Sequence, residues 1–206
     1  MTTTTLDRTA TAQGLLDEYE RFAELVAGLN DKQWTTPSRC EGFDVRDVAG
    51  HVIGLAEDVA AGKPGTRNAE EEAASVRGDA PRRAAERLRA VIAALQPLLS
   101  ALDDDAWNGP SGVPDLTFGR GVLLLWYDAY VHGDDIRAAL GMPSVHGDGL
   151  RASVEYVSTE LQLRGWSGEI PTFADMPYDP LDFVLAATGR LAATKIGLAP
   201  DVNIYA

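Results

Sequence analysis

One cysteine, three histidines and three lysines are all that 206 residues contain of these types. Each scarcity removes a class of explanation. With Cys40 alone there is no internal disulfide and no cysteine-built zinc cluster. With Lys and Arg at 18 against Asp and Glu at 31, the formal net charge is −13. That excess speaks against nucleic-acid backbones and anionic membranes, both of which require a basic surface. No apolar run approaches the length that spans a bilayer. Met1 to Thr5 has neither a basic n-region nor an apolar h-region, so no signal peptide is read and the expected location is the cytoplasm.

What is present is a helical pattern. The apolar fraction of 45% supports a real core. After a polar, Thr-rich start expected to fray, Leu15, Tyr19, Phe22, Val26 and Leu29 form one stripe, which Asn30 and Asp31 break. Trp34 to Phe43 reads as an irregular connection, punctuated by Pro37 and Gly42. Asp44 then caps a second helix with Val45, Val48, Val52, Leu55 and Val59 inward, ending near Gly62 to Gly65. Asn68 to Ser75, acidic and alanine-rich, reads as a short solvated helix or a mobile loop. Pro81 opens a third helix striped by Leu88, Val91, Leu95, Leu98 and Leu102. Thr117 caps a fourth that runs through Leu140 to a stop at Gly141.

A fifth helix is expected over 149–164, irregular chain over 165–180, a short helix over 182–195 and an extended piece over 202–205. No period-2 strand series and no internal repeat is read. The expected fold is all-α, a four-helix bundle over residues 1–165, with a short C-terminal appendage, 166–206, packing on it.

Bundles build metal sites between facing helices from carboxylates and histidines three or four residues apart. Asp128 and His132 are four apart, about 40° apart in helical projection, beside the stripe of Val122, Leu125, Ala129, Ile136 and Leu140. His51 lies at the margin of the second helix's stripe. Two nitrogens and one oxygen would leave positions open for water or substrate, as a catalytic metal requires. Asp47, one turn before His51, and Asp135, just after His132, are placed to orient the outer ring nitrogens. Other readings stand beside this one. A histidine at a stripe's edge also serves as a hydrogen-bonded core residue, and Asp–His at this spacing is an ordinary helix-surface pair. Asp47 equally suits the helix dipole.

His146, in a Gly- and Asp-containing turn, reads as solvent-exposed, and Cys40 as a packed or semi-exposed thiol without an identifiable histidine partner. The four tryptophans read as packing residues. No phosphate-binding glycine loop and no serine nucleophile elbow is found.

Taken together, these stretches carry a resemblance. Trp34-x-x-Pro37-Ser38-x-Cys40-x-Gly42-Phe43-Asp44-Val45-Arg46-Asp47-Val48-x-x-His51 resembles the N-terminal signature of the mycothiol-dependent maleylpyruvate isomerase family. Asp128-x-x-x-His132-Gly133-x-Asp135-Ile136-Arg137-x-Ala139-Leu140-Gly141 is similar to that family's second signature. Ala187 to Arg190 and Val202 to Tyr205 are similar to its usual ending. The resemblance implies a DinB-like four-helix bundle with zinc or another divalent metal on His51, Asp128 and His132. The isomerase carries a glutamate where this chain has Asp128, one methylene shorter.

The resemblance further implies mycothiol, a low-molecular-weight thiol, as co-substrate and a small electrophilic molecule as its partner. Thiol addition to a conjugated double bond would give isomerase activity, and displacement would give S-transferase activity. The lysine-poor, Ala-, Gly- and Arg-rich composition, that of a GC-rich genome, accords with a mycothiol-making organism. The isomerase has a further C-terminal domain, and the segment after this bundle is too short for one. Arg190, from that segment, would suit a substrate carboxylate. The same triad would also serve a metal-dependent hydrolase or a non-catalytic metal- or small-molecule-binding bundle. An uncovered apolar helix face would allow a homodimer.

Overall fold

The computed structural model describes residues 6–166, 168 and 172–205, so the Thr-rich start and part of the expected irregular stretch at 165–180 lie outside the described residues. Among the described residues the secondary structure is helical, with two isolated β-bridges and no strand. Four long helices form the bundle: α1 (Arg8–Ala27), α3 (Val45–Ala60), α5 (Pro81–Ala101) and α7 (Phe118–Ala139). Short helices α2 (Asp31–Trp34), α4 (Ala69–Ala74) and α6 (Asp104–Asn108) lie in the connections. No described helix is long and apolar enough to cross a membrane.

Local chemistry explains the boundaries. Asp7, Asn30, Asp44, Asn68, Asp103 and Thr117 each accept a backbone N–H of the first turn they precede. Asp44 and Asp47 complete a reciprocal capping box at α3. Pro81 occupies the first position of α5, where its missing N–H costs nothing. Gly141, with φ of 66°, takes the chain out of α7.

The packing carries information that the stripes did not. α1 packs against α5 and α7, and α3 also packs against α5 and α7. Helices α1 and α3 therefore sit at opposite corners, as do α5 and α7. The α1–α3 and α5–α7 connections each cross a diagonal, and α2 and α6 lie in those crossings, whereas the α3–α5 connection joins neighbours.

The two crossings are alike, which corrects the expectation of no internal repeat. Trp34 and Trp107, Pro37 and Pro110, Ser38 and Ser111, and the caps Asp44 and Thr117 recur at one constant offset in numbering. The same offset superposes the first residues of α1 and α5, α2 and α6, and α3 and α7. It also relates buried Leu15 to Leu88, Phe22 to Leu95 and Val26 to Leu99. The backbone repeats with it. Ser38 N–H bonds Phe43 O at 3.1 Å and Ser111 N–H bonds Leu116 O at 2.9 Å; Val45 N–H bonds Thr36 O and Phe118 N–H bonds Gly109 O, both at 2.9 Å. The bundle is one helix–crossing–helix unit used twice.

α8 (Asp148–Leu163) packs on the outer side of α7, and α9 (Pro180–Ala187) packs on α8. α7 thereby borders two apolar clusters. Val122, Leu125, Trp126, Ala129 and Ile136 face the bundle, while Tyr127, Tyr130 and Val131 face α8, α9, Val202 and Ile204. The expected helix over 182–195 is divided: α9 ends at Ala187, Gly189 takes a φ of 74°, and a short 3-10 turn follows at Ala193–Ile196. Residues 202–205 are not extended as a strand; they turn, and Ile204 N–H bonds Ala187 O.

Trp126, 1% exposed, lies across α1 at Gly14, where a Cβ would come within 2.0 Å of its ring. Alanine at a helical glycine normally gains about 1 kcal/mol. Here overpacking costs roughly 1–3 kcal/mol, so Gly14→Ala should lower the thermal midpoint. A raised midpoint in a melting curve would contradict this packing.

Candidate metal centre

α3 and α7 face one another, and the centre lies between them. The Asp44 cap fixes where α3 begins and so places His51 on its second turn. Asp128 and His132 stand one turn apart midway along α7. The Asp128 Oδ1 atom lies 3.5 Å from His51 Nε2 and 3.5 Å from His132 Nε2. The two imidazoles meet edge to face, with centroids 5.0 Å apart. One ligand atom from each of the three residues lies within 4.8 Å of the others. Their side chains are about one-seventh exposed, so the cluster is sheltered but reachable from solvent.

The outer nitrogens are engaged as well. His51 Nδ1 lies 2.7 Å from Glu72 Oε2, and His132 Nδ1 lies 2.9 Å from Asp135 Oδ2. Carboxylate partners on Nδ1 favour the tautomer that leaves Nε2 as the free donor. Asp135 is fully buried and accepts further bonds from Arg39 Nε, Arg190 Nε and Nη2, and Cys40 Sγ. Arg39 Nη2 also bonds Asp134 at 2.7 Å.

Electrostatics follow from this crowding. Burial raises the Asp128 carboxyl, but His132 and then His51 outweigh it and hold the group well below the usual carboxylate range. Burial likewise raises Asp135, and the bonds from His132 and Arg190 reverse it. Burial lowers His51, yet the Asp128 charge and the contacts with Asp128 and Glu72 push it up to about 9. Burial lowers His132 too, yet the Asp128 charge and the contacts with Asp128, Asp135 and Cys40 raise it well above the usual value. Among the described residues, the guanidiniums that form ion pairs with Asp128, Glu72, Asp134 and Asp135 are those of Arg39 and Arg190. Two imidazolium protons or one divalent cation would supply the difference.

The donor set therefore fits a divalent metal: two neutral imidazole nitrogens and one carboxylate oxygen converging, each imidazole braced from behind. Cys40, His132 and Asp135 form a second cluster of ligand-type atoms. There the Asp135 carboxylate already faces two guanidiniums, which would repel a cation.

A family model describing the mycothiol maleylpyruvate isomerase N-terminal domain matches residues 15–137. The chain belongs to this family. No curated protein and no solved structure matches it. The matched span contains His51, Glu72, Asp128, His132 and Asp135, whereas Arg190, α8 and α9 lie beyond it. Membership links the fold to a mycothiol-related, metal-binding function at the family's level.

Some residues sit differently from the sequence reading. Asp47 does not reach His51. Its carboxylate accepts from Arg77 Nε at 2.9 Å and belongs to the α3 capping box. The acceptor on His51 is Glu72, in the segment expected to be solvated or mobile. That segment is α4, with Glu72 and Ala73 buried. Arg190 has its Nε and Nη2 on Asp135, leaving Nη1 with a 3.5 Å contact to Thr188 O. Cys40, read as lacking a histidine partner, has His132 Nδ1 at 3.9 Å and Asp135 at 3.1 Å. His146 is exposed.

Proposed function

We propose that this protein is a metal-dependent thiol transferase or isomerase that uses mycothiol against a small electrophile in the cytoplasm. The observation that carries the reading is the convergence of His51 Nε2, Asp128 Oδ1 and His132 Nε2, with both outer nitrogens on buried carboxylates. Zinc suits this borderline set of nitrogen and oxygen donors. When bound, such an ion lowers the pKa of a thiol and holds the thiolate ready as a nucleophile.

The chain's own residues do the rest. Asp128 contributes the negative charge, and His51 and His132 contribute neutral donors once their Nε2 protons have left. Glu72 and Asp135 keep the Nδ1 protons in place. Arg39 and Arg190 brace Asp135, and the remaining Nη1 edge of Arg190 is left for a carboxylate on the electrophile. Sulfur adding to a conjugated double bond, then leaving by the reverse cleavage of the same C–S bond, permits rotation and gives isomerisation. Sulfur displacing a leaving group forms a new C–S bond and gives transfer. Residues 166–206 act here as a cap on the bundle of residues 1–165, supplying Arg190.

The test pairs metal analysis of the purified protein with conjugation of a generic electrophile, with and without mycothiol. One metal per chain, lost in His51→Ala, and mycothiol-dependent turnover are expected. Background metal that His51→Ala leaves unchanged would remove the metal reading altogether. Stoichiometric metal with turnover indifferent to mycothiol would leave a hydrolase using bound water, and stoichiometric metal without turnover would leave a binding protein.

A further inference from the structure

α4 is the piece of the bundle without a counterpart. The place that corresponds to it after α7, residues 142–147, contains no helix. Six residues are too few to hold a helix unaided, yet α4 is fastened at several points. Asn68 and Glu71 form a capping box. Arg67 bonds Asp58 through Nε and Nη2 and the Gly54 carbonyl through Nη2, each at 2.8 Å. Beyond the other end, Arg87 bonds Ser75 O at 2.7 Å and clasps Glu57 at 2.8 and 2.7 Å. Both arginines therefore tie this connector to α3.

The approach of α4 to α3 requires two glycines. A Cβ on Gly50 would come within 2.5 Å of Ala73 O, and a Cβ on Gly54 within 2.8 Å of Glu72 Cα. His51 lies between them. Of the three consecutive glutamates in α4, Glu70 and Glu71 are exposed and Glu72 is 3% exposed. Burying a carboxylate is costly unless it is paired. Among the described residues the partner of Glu72 is His51, at 2.7 Å, and no arginine or lysine forms an ion pair with it.

We infer that Glu72 is a positioning residue of the metal centre, carried by α4 and admitted by Gly50 and Gly54, which sets the tautomer and ring plane of His51. Accepting the Nδ1 proton turns the Nε2 lone pair toward Asp128 and His132. The assignment rests on the metal-centre reading above and adds to it a third chain segment on which metal affinity depends.

The test uses Co2+ as probe, titrated into the metal-free full chain, with its visible ligand-field band and the thermal midpoint of the metal-free protein as separate readouts. Glu72→Met removes the acceptor of the His51 Nδ1 proton, and loss of one member of a buried pair destabilises, so the metal-free midpoint is expected to fall. In the folded variant Co2+ binding is expected to weaken roughly 10–100-fold and the band to change. Glu72→Gln, whose amide oxygen still accepts the proton, should recover most of that loss. Glu71→Gln should change nothing.

Wild-type Co2+ affinity and an unchanged band in Glu72→Met would overturn the assignment. Should that variant fail to fold, an equally large loss in folded Glu72→Gln would overturn it, since the retained acceptor would then have rescued nothing. A wild-type protein that binds no Co2+ would instead remove the metal-centre reading itself, and this assignment with it.

Discussion

Replacing His132 by alanine is expected to abolish stoichiometric metal binding and, with it, thiol-dependent turnover. Like His51, His132 is a nitrogen donor braced from behind by a buried carboxylate. Its Nε2 faces Asp128, its Nδ1 faces Asp135, and its ring meets that of His51 at 5.0 Å. Loss of an outer partner alone costs roughly 10–100-fold in metal affinity, so loss of a direct donor should exceed the upper end of that range. Asp128 would also lose the neighbour that does most to oppose the upward effect of burial on its carboxyl. The side chain is partly exposed, so an unchanged far-ultraviolet circular dichroism spectrum is expected beside the lost metal. One tightly held metal per chain in His132→Ala, measured by elemental analysis, would refute the assigned ligand set.

The second large effect is on stability. Asp135→Ala should cost about 3–5 kcal/mol. It leaves Arg190, 12% exposed in its side chain, with only the long contact to Thr188 O. Arg39 retains Asp134 and is hurt less. For a chain of this length such a loss lowers the melting midpoint by about 10 °C. The same carboxylate joins three parts of the chain: the crossing before α3 through Arg39 and Cys40, α7 through His132, and the C-terminal segment through Arg190. Asp135→Ala should therefore weaken metal binding as well.

The sign of its pH dependence follows from linkage. The folded carboxyl is held below its ordinary value, so its contribution is present above the unfolded carboxylate range and is lost as pH falls through the depressed value. The midpoint gap between wild type and Asp135→Ala should hold from pH 7 to pH 5 and narrow only in stronger acid. A midpoint within 2 °C of wild type at neutral pH would show the hub to be energetically idle.

Much of the fold was legible because helix signals are local. The caps Asp44 and Thr117, Pro81 at the start of α5 and Gly141 after α7 act within a turn of themselves. Stripes such as Leu15, Tyr19, Phe22 and Val26 announce a buried face without naming its partner. The repeat is not legible in the sequence for a related reason. Its two copies share caps, tryptophans, prolines and an apolar register, and few consecutive identities. Functionally the copies have diverged. By the same offset His51 corresponds to Leu124, while Asp128 and His132 correspond to Leu55 and Val59.

Glu72 shows where local reading ends. Glu70, Glu71 and Glu72 are chemically equivalent in sequence, and only the contact of α4 with Gly50 and Gly54 decides which one is buried. Asp47 shows the converse. Its spacing from His51 suited an orienting role, but a capping box and Arg77 claimed its carboxylate.

By itself, then, the sequence determined the helices, their caps, the inward faces, the family and the three residues His51, Asp128 and His132 as a set worth testing. The tertiary structure decided that α3 neighbours α7 and stands diagonally opposite α1, since the α1–α3 and α5–α7 connections run along diagonals. It also decided that Glu72, Asp135, Arg39 and Arg190 close around the imidazoles. The physical reason is one of range. Helical periodicity is set by bonds between residues a turn apart, whereas the geometry of a metal centre depends on helices whose order around the core only the packed chain defines.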